Sequence, residues 1–358
     1  MKSITNKIQG CYIGGAIGDA MGGPVEGMHY EYIQQLTGGV KGFIEYKEPY
    51  RLAHPGGAVA SKPGSITDDH QGRMVMAQAV LDKKGRINAD DAAEAYYKYM
   101  KPWEWWYPST LPFYKINRFN MAPRDAGLHH TQEGGNAYYT AVSIINMCDP
   151  EQAYWDVFDI SSIWKRDIAR ELVSTLYAAI AHAFCIDATY QSVVQTALDF
   201  STDRAKKYID RAVNVAAGCK DWQEFIPKAY ETLLHDDEPY FAQTPPDTGD
   251  LNQWSTSVDF REQIPLMFGV FYVAKGGPTE TTLGTINLGR DCDSIGTTAS
   301  SMAGALCGIN AFPKDWVETV LEANPDPDMI DVCAKLEELV YLQIKQQEDI
   351  SNRRKLLT

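Results

Sequence analysis

The sequence predicts an all-α protein, a compact multi-helix bundle with long loops rich in aromatic residues and proline. Most segments with a readable apolar period are helical: 70–82, 90–100, 136–147, 166–186, 190–200, 204–217, 222–233, 297–311 and 329–348. Alternating patterns are scarce, and the best strand candidates are short pieces around residues 40–46. Across 358 residues, 44% hydrophobic and 22% charged content gives a chain able to bury a sizeable core. No linker, internal repeat or low-complexity tract divides it. A single domain over 1–358 is expected, with a polar tail at about 345–358 that reads as a fraying end.

From the N-terminus, Gly10, Gly14 and Gly18 recur every four residues, which on a helix puts three missing side chains on one face. Each costs about 1 kcal/mol of helix propensity relative to Ala, so the close approach of another helix, or of a functional site, must compensate. Asp19 lies inside this helix, where a structural hydrogen bond and a supporting role at a site are equally open. Further on, Thr67-Asp68-Asp69 stands directly before the 70–82 run, as Asp291-Cys292-Asp293-Ser294 stands before 297–311. Either segment alone reads as helix capping. Together, four carboxylates with hydroxyl neighbours are hard oxygen ligands of the kind Mg²⁺, Mn²⁺ or Ca²⁺ prefers, and they read as two halves of one metal site.

Residues 101–134 interleave Pro102, Pro108, Pro112 and Pro123 with Trp103, Trp105, Trp106, Tyr107, Phe113, Tyr114 and Phe119. Proline at this density predicts a long loop. Its rings either line the substrate cleft, stacking on a base or sugar, or anchor the loop to the core. In 166–186, Ile168, Leu172, Thr175, Leu176, Ala179 and Ala183 form a core-facing stripe. A second irregular stretch is expected over 234–262, with Pro239, Pro245, Pro246, Gly249 and Trp254.

A net charge of −14 argues against broad attraction to nucleic acid or anionic membrane. Seven scattered cysteines, an odd number without a Cys-x-x-Cys pair, fit reduced thiols better than a disulfide framework or a structural zinc site. With no h-region of a signal peptide and no apolar run long enough to cross a bilayer, the expected location is cytoplasmic. The sequence leaves the oligomeric state open.

Gly14-Gly15-Ala16-Ile17-Gly18-Asp19-Ala20-Met21-Gly22-Gly23-Pro24-Val25-Glu26, followed by Thr67-Asp68-Asp69 and Gly289-Arg290-Asp291-Cys292-Asp293-Ser294, resembles the ADP-ribosylglycohydrolase family, which includes the dinitrogenase reductase-activating glycohydrolases. The resemblance runs from residue 7 to about 311. It implies that Thr67, Asp68, Asp69, Asp291, Asp293 and Ser294 bind two divalent cations, Mg²⁺ or Mn²⁺, which engage the substrate's ribose hydroxyls. It also makes Glu26 the candidate general acid/base or water-orienting group, acting with Asp69 and Asp293. Gly134-Gly135-Asn136-Ala137 resembles the family's Gly-Asn-Gly stretch, so Gly135 and Asn136 are expected to bind substrate, with Trp105 and Trp106 from the aromatic segment. His129 and His130 either touch phosphate or base or are simply exposed, and Cys292 reads as a small filler between ligands.

The chain departs from its relatives at His70, where threonine is common, at Ile163-Trp164, where Thr-His is common, and at Ser294, which keeps the hydroxyl of a threonine. The metal set survives these changes, while the leaving group stays open. The first reading is a metal-dependent hydrolase that cleaves the glycosidic bond of an ADP-ribosylated protein side chain or small molecule. A second is a nucleoside or other small ribosyl-compound N-glycosidase at the same site, separated from the first by dependence on the diphosphate. A third is a non-catalytic ADP-ribose-binding or structural member, against which the complete ligand set argues.

Overall fold

Small residues place the first helix at the centre of the molecule. In the computed structural model, which describes residues 3–46, 62–102, 105, 107–128, 135–234 and 260–357, helix α1 (Ile4–Gly22) starts at Ser3, whose hydroxyl accepts the Asn6 N–H at 3.1 Å. From Lys7 to Gly22 it is buried apart from Gln9. A helix buried on every side needs partners all round. The largest is the helix Cys292–Cys307, whose Gly296, Ser300 and Gly304 repeat the four-residue spacing of Gly10, Gly14 and Gly18. A Cβ added at Gly18 would overlap the carbonyl of Gly296, and one at Gly304 would overlap that of Gly10. This close approach compensates for the low helix propensity of the glycines.

The other helices surround this pair: α2 (Tyr30–Thr37), α3 (Asp68–Lys83), α4 (Ala89–Tyr99), α5 (Tyr107–Phe119), α6 (Thr140–Ile145), α7 (Pro150–Ile160) and α8 (Asp167–Ala183). They continue as α9 (Tyr190–Asp199), α10 (Asp203–Ala217), α11 (Trp222–Thr232), α12 (Phe260–Val273), α13 (Pro278–Leu288), α14 (Cys292–Cys307), α15 (Lys314–Ala323) and α16 (Met329–Lys355). The all-α expectation holds: among the described residues there is no β-strand, only an isolated antiparallel bridge between His29 and Gly289. No described helix is long and apolar enough to cross a membrane.

Four expectations differ from what is found. Residues 40–46 form no strand; the N–H and C=O of Val40 bond the Asn287 side chain, at 2.8 and 2.9 Å, in place of a neighbouring strand. The segment 101–134 is not one long loop, since it contains α5. Pro108 lies in the first turn of α5, where a missing N–H loses no helical bond, and Pro112 forfeits only one. Residues 103, 104, 106 and 129–134 lie outside the described set, as do 235–259 of the second irregular stretch, whose last residues, 260–262, open α12. The C-terminal tail is helical to Lys355, because α16 is seeded by buried Val332, Cys333, Leu336, Leu339 and Val340 and continues through good helix formers.

Candidate metal centre

Two helix N-termini converge on one buried place. Thr67 caps α3, its hydroxyl oxygen accepting the Asp69 N–H at 3.3 Å, so the capping reading holds for Thr67. Thr67 is itself gripped by Asp19 of α1: its N–H donates to Oδ2 at 2.8 Å and its hydroxyl to Oδ1 at 2.6 Å. At the start of α14, Asp291 occupies the cap position without a capping side-chain bond, while Asp293 Oδ1 accepts the Ser294 N–H at 2.9 Å. The positive ends of both helices therefore face the acidic groups.

The loop carrying Glu26 is laced to the late motif by backbone bonds. The Gly27 N–H donates to the Arg290 carbonyl at 2.6 Å, and the Arg290 N–H donates to that of Met28 at 2.9 Å. Arg290 adopts a left-handed φ of 63°. Its guanidinium holds it there through a buried two-pronged pair with Glu262, both bonds 2.7 Å. One residue further, the Gln263 amide donates to Asp291 Oδ2.

Asp19, Asp69 and Asp293 each offer an oxygen such that all three lie within 4.8 Å of one another, and so do Glu26, Asp291 and Asp293. Asp293 belongs to both groups. Ser294 Oγ donates to Asp69 Oδ2 at 2.5 Å, and Thr67 Oγ1 lies 3.3 Å from Asp293 Oδ2, so hydroxyls tie the two sequence halves together. Burial, against the two bonds from Thr67, pushes the Asp19 carboxyl up to about 7. Asp69 and Asp293 are held well above the usual carboxylate range, first by burial and then by neighbouring carboxylates, Asp68 and Asp291 for Asp69, Glu26 and Asp291 for Asp293. Packing these acids together is unfavourable unless protons or a cation offset the charge. A hard divalent cation fits this all-oxygen donor set.

Of the six expected ligands, Asp69, Asp291 and Asp293 fall within the carboxylate groups, with the Thr67 and Ser294 hydroxyls beside them. Asp68 is buried nearby but belongs to neither group. Asp19 joins the cluster directly, which its position in a glycine-rich helix did not distinguish from a structural role. The Arg290–Glu262 pair and Gln263 carried no recognisable pattern.

The aromatic residues are placed as follows. Trp105 is 4% exposed, edge-on to Tyr96 and Tyr138 with ring centroids 5.4 and 5.5 Å away, and Trp106 lies outside the described residues, as do His129 and His130. The Trp164 indole N–H donates to the Ser109 carbonyl at 3.0 Å inside the same aromatic cluster. Tyr138 bears on the metal centre, since its ring fills the space a Cβ would take on Gly72 of α3. Gly135 takes a left-handed φ of 80° against that ring. The carbonyl of buried Asn136 accepts the Tyr177 hydroxyl at 2.7 Å, and its side-chain oxygen is buried without a hydrogen-bond partner among the described residues. Burial keeps the Cys292 thiol well above its ordinary range, consistent with a filler rather than a nucleophile. His70 Nδ1 lies 2.8 Å from the Arg73 guanidinium, which only donates, so the imidazole proton sits on Nε2. Burial and then Arg73 hold that ring well below the usual histidine range, and it stays neutral.

A sequence model described as ADP-ribosylglycohydrolase matches residues 1–349. An uncharacterized protein of Archaeoglobus fulgidus is 24% identical over 328 residues, which is 88% of this chain and 92% of that protein. A solved structure described as an ADP-ribosylglycohydrolase-related protein complex superposes with a TM-score of 0.64 at 16% identity, covering 95% of this chain and all of that chain. At that identity the likeness establishes the shared all-α fold.

Proposed function

The chain belongs to the ADP-ribosylglycohydrolase family, and from that membership and its acidic centre we propose that it hydrolyses the glycosidic bond joining an ADP-ribosyl group to a protein side chain or a small molecule, using two divalent cations, Mg²⁺ or Mn²⁺. The observation that carries this reading is Asp293, common to two adjoining carboxylate groups. Two cations bound there would share this carboxylate as a neighbour and would supply charge stabilisation to the sugar. Asp69, with Asp19 supporting Thr67, would serve one side and Asp291 the other, with Glu26 beside Asp291. Thr67 and Ser294 supply neutral oxygens between them.

Bound there, the cations supply positive charge that holds ribose hydroxyls and lowers the pKa of water. Glu26 is the chain's general base, its carboxylate set by the Gly27–Arg290 lacing where it can take the proton of the attacking water. The Gly135–Asn136 turn contacts the substrate beyond the ribose, using the buried Asn136 oxygen that has no hydrogen-bond partner among the described residues. Trp105 acts through Tyr138, whose ring it meets edge-on.

The test is release of free ribosyl product from ADP-ribosyl-arginine, an ADP-ribosyl-serine peptide, O-acetyl-ADP-ribose and plain nucleosides, each with Mg²⁺, Mn²⁺ or chelator. Turnover of an ADP-ribosyl compound that disappears with chelator supports the reading. Turnover of nucleosides alone would replace it with the N-glycosidase.

A further inference from the structure

Tyr46 brings an aromatic hydroxyl to the acidic centre from outside every motif. It follows Val40, which the Asn287 side chain pins, by six residues. Gly23, directly after α1, makes room for it. A Cβ on Gly23 would overlap the Tyr46 hydroxyl and come within 2.7 Å of Thr67 Cγ2, so the phenol lies beside the cap of α3. The charged groups that act on it are Asp19, Asp293 and Glu26, drawn from both carboxylate groups. Its oxygen is buried and has no hydrogen-bond partner among the described residues.

A buried hydroxyl without a partner costs on the order of 1–3 kcal/mol, and phenylalanine would fill the same space without that cost. The hydroxyl is therefore matched to an oxygen that enters with the centre's own contents. Resting on the metal-hydrolase reading above, we propose that the Tyr46 phenol donates a hydrogen bond to the attacking water of the acidic centre, so that the hydroxide left when Glu26 takes a proton keeps a lone pair free for the anomeric carbon. A donor suits this position because the surrounding protein groups, Asp19, Glu26 and Asp293, are acceptors when ionised. Glu26 removes a proton from that water while Tyr46 fixes its orientation; the phenol keeps its own proton throughout, so no charge is transferred to the ring.

The experiment compares the full-length chain with Tyr46→Phe, both loaded with Mn²⁺. Water-proton relaxation of the bound Mn²⁺ reads the held water without substrate, and kcat and KM read turnover on the substrate that the wild type accepts. The expected result is an unchanged Mn²⁺ stoichiometry, a change in relaxivity of about two-fold or more, and a kcat about ten-fold lower with KM within two-fold. Relaxivity and kcat both within experimental error of wild type, in a Tyr46→Phe protein that still binds Mn²⁺, would overturn the role of Tyr46. A wild type that turns over no ADP-ribosyl compound but shows the relaxivity difference would remove the substrate reading and leave the Tyr46 contact standing. A wild type that binds no Mn²⁺ would overturn both.

Discussion

Asp19 holds Thr67 with both carboxylate oxygens, one accepting the backbone N–H at 2.8 Å and the other the hydroxyl at 2.6 Å. The contact joins the glycine-rich helix to the first turn of α3 and presents the Thr67 lone pairs, rather than its proton, to the centre. Replacing Asp19 with Asn keeps the shape, but its amide N–H₂ faces one of the two donors. Mn²⁺ affinity is expected to fall about ten-fold, as for the loss of a group that orients a ligand. Metal-free stability at pH 8 is expected to stay level or rise, because one buried carboxylate is gone. Calorimetric titration and thermal melting read the two effects separately.

The raised carboxyl pKa values give the metal-free protein a defined pH dependence. Asp19, Asp69 and Asp293 bind protons more tightly folded than unfolded, so the stability they contribute is present below about pH 4 and is lost as pH rises through their folded values, about 7 for Asp19. A cation replaces those protons. The rise in melting temperature on adding Mn²⁺ is therefore expected to be larger at pH 8 than at pH 5; an equal rise at both would mean that the cation binds elsewhere.

Arg73 is fully buried, yet no described carboxylate pairs with it. Its guanidinium donates to the Tyr12 carbonyl at 2.9 Å, Thr140 Oγ1 at 3.1 Å, Ser301 Oγ at 3.2 Å and His70 Nδ1 at 2.8 Å. His70→Thr removes one acceptor and the imidazole volume. The expected cost is about 1–3 kcal/mol in urea unfolding, with metal stoichiometry unchanged.

The contact of α1 with α14 leaves no space for side chains. Gly18→Val sets two methyl groups and a Cβ against the Gly296 carbonyl and is expected to destabilise the chain by at least about 3 kcal/mol, lowering soluble yield and melting temperature. Gly38→Ala is the control. Its Cβ would meet nothing within 4 Å, although its φ of 71° adds backbone strain of about 1 kcal/mol. A Gly18→Val protein no less stable than that control would contradict the packing described here.

The sequence made the helices legible where one apolar face repeats, as in 166–186, and it made the acidic halves legible only as a pair, since either alone reads as helix capping. It did not show α12 and α13, which are buried on nearly every side and so lack a polar face to set the period. The proline-rich α5 was hidden for another reason: proline predicts a break, while a proline in the first turn breaks nothing. Within the centre, Asp19, Tyr46 and Gln263 reach the cluster through tertiary contacts between segments far apart in the chain, which spacing along the chain does not encode. Asp68, read as a ligand from its neighbours, is buried beside the carboxylate groups but is absent from both.

The most direct test of the dinuclear centre is anomalous diffraction from crystals of the wild type and of Asp293→Asn soaked in Mn²⁺. Two manganese peaks about 3.5–4 Å apart on either side of Asp293, both lost or strongly weakened in the variant, are the predicted result. A single peak that survives in Asp293→Asn, or manganese bound only away from Asp69, Glu26 and Asp291, would contradict it.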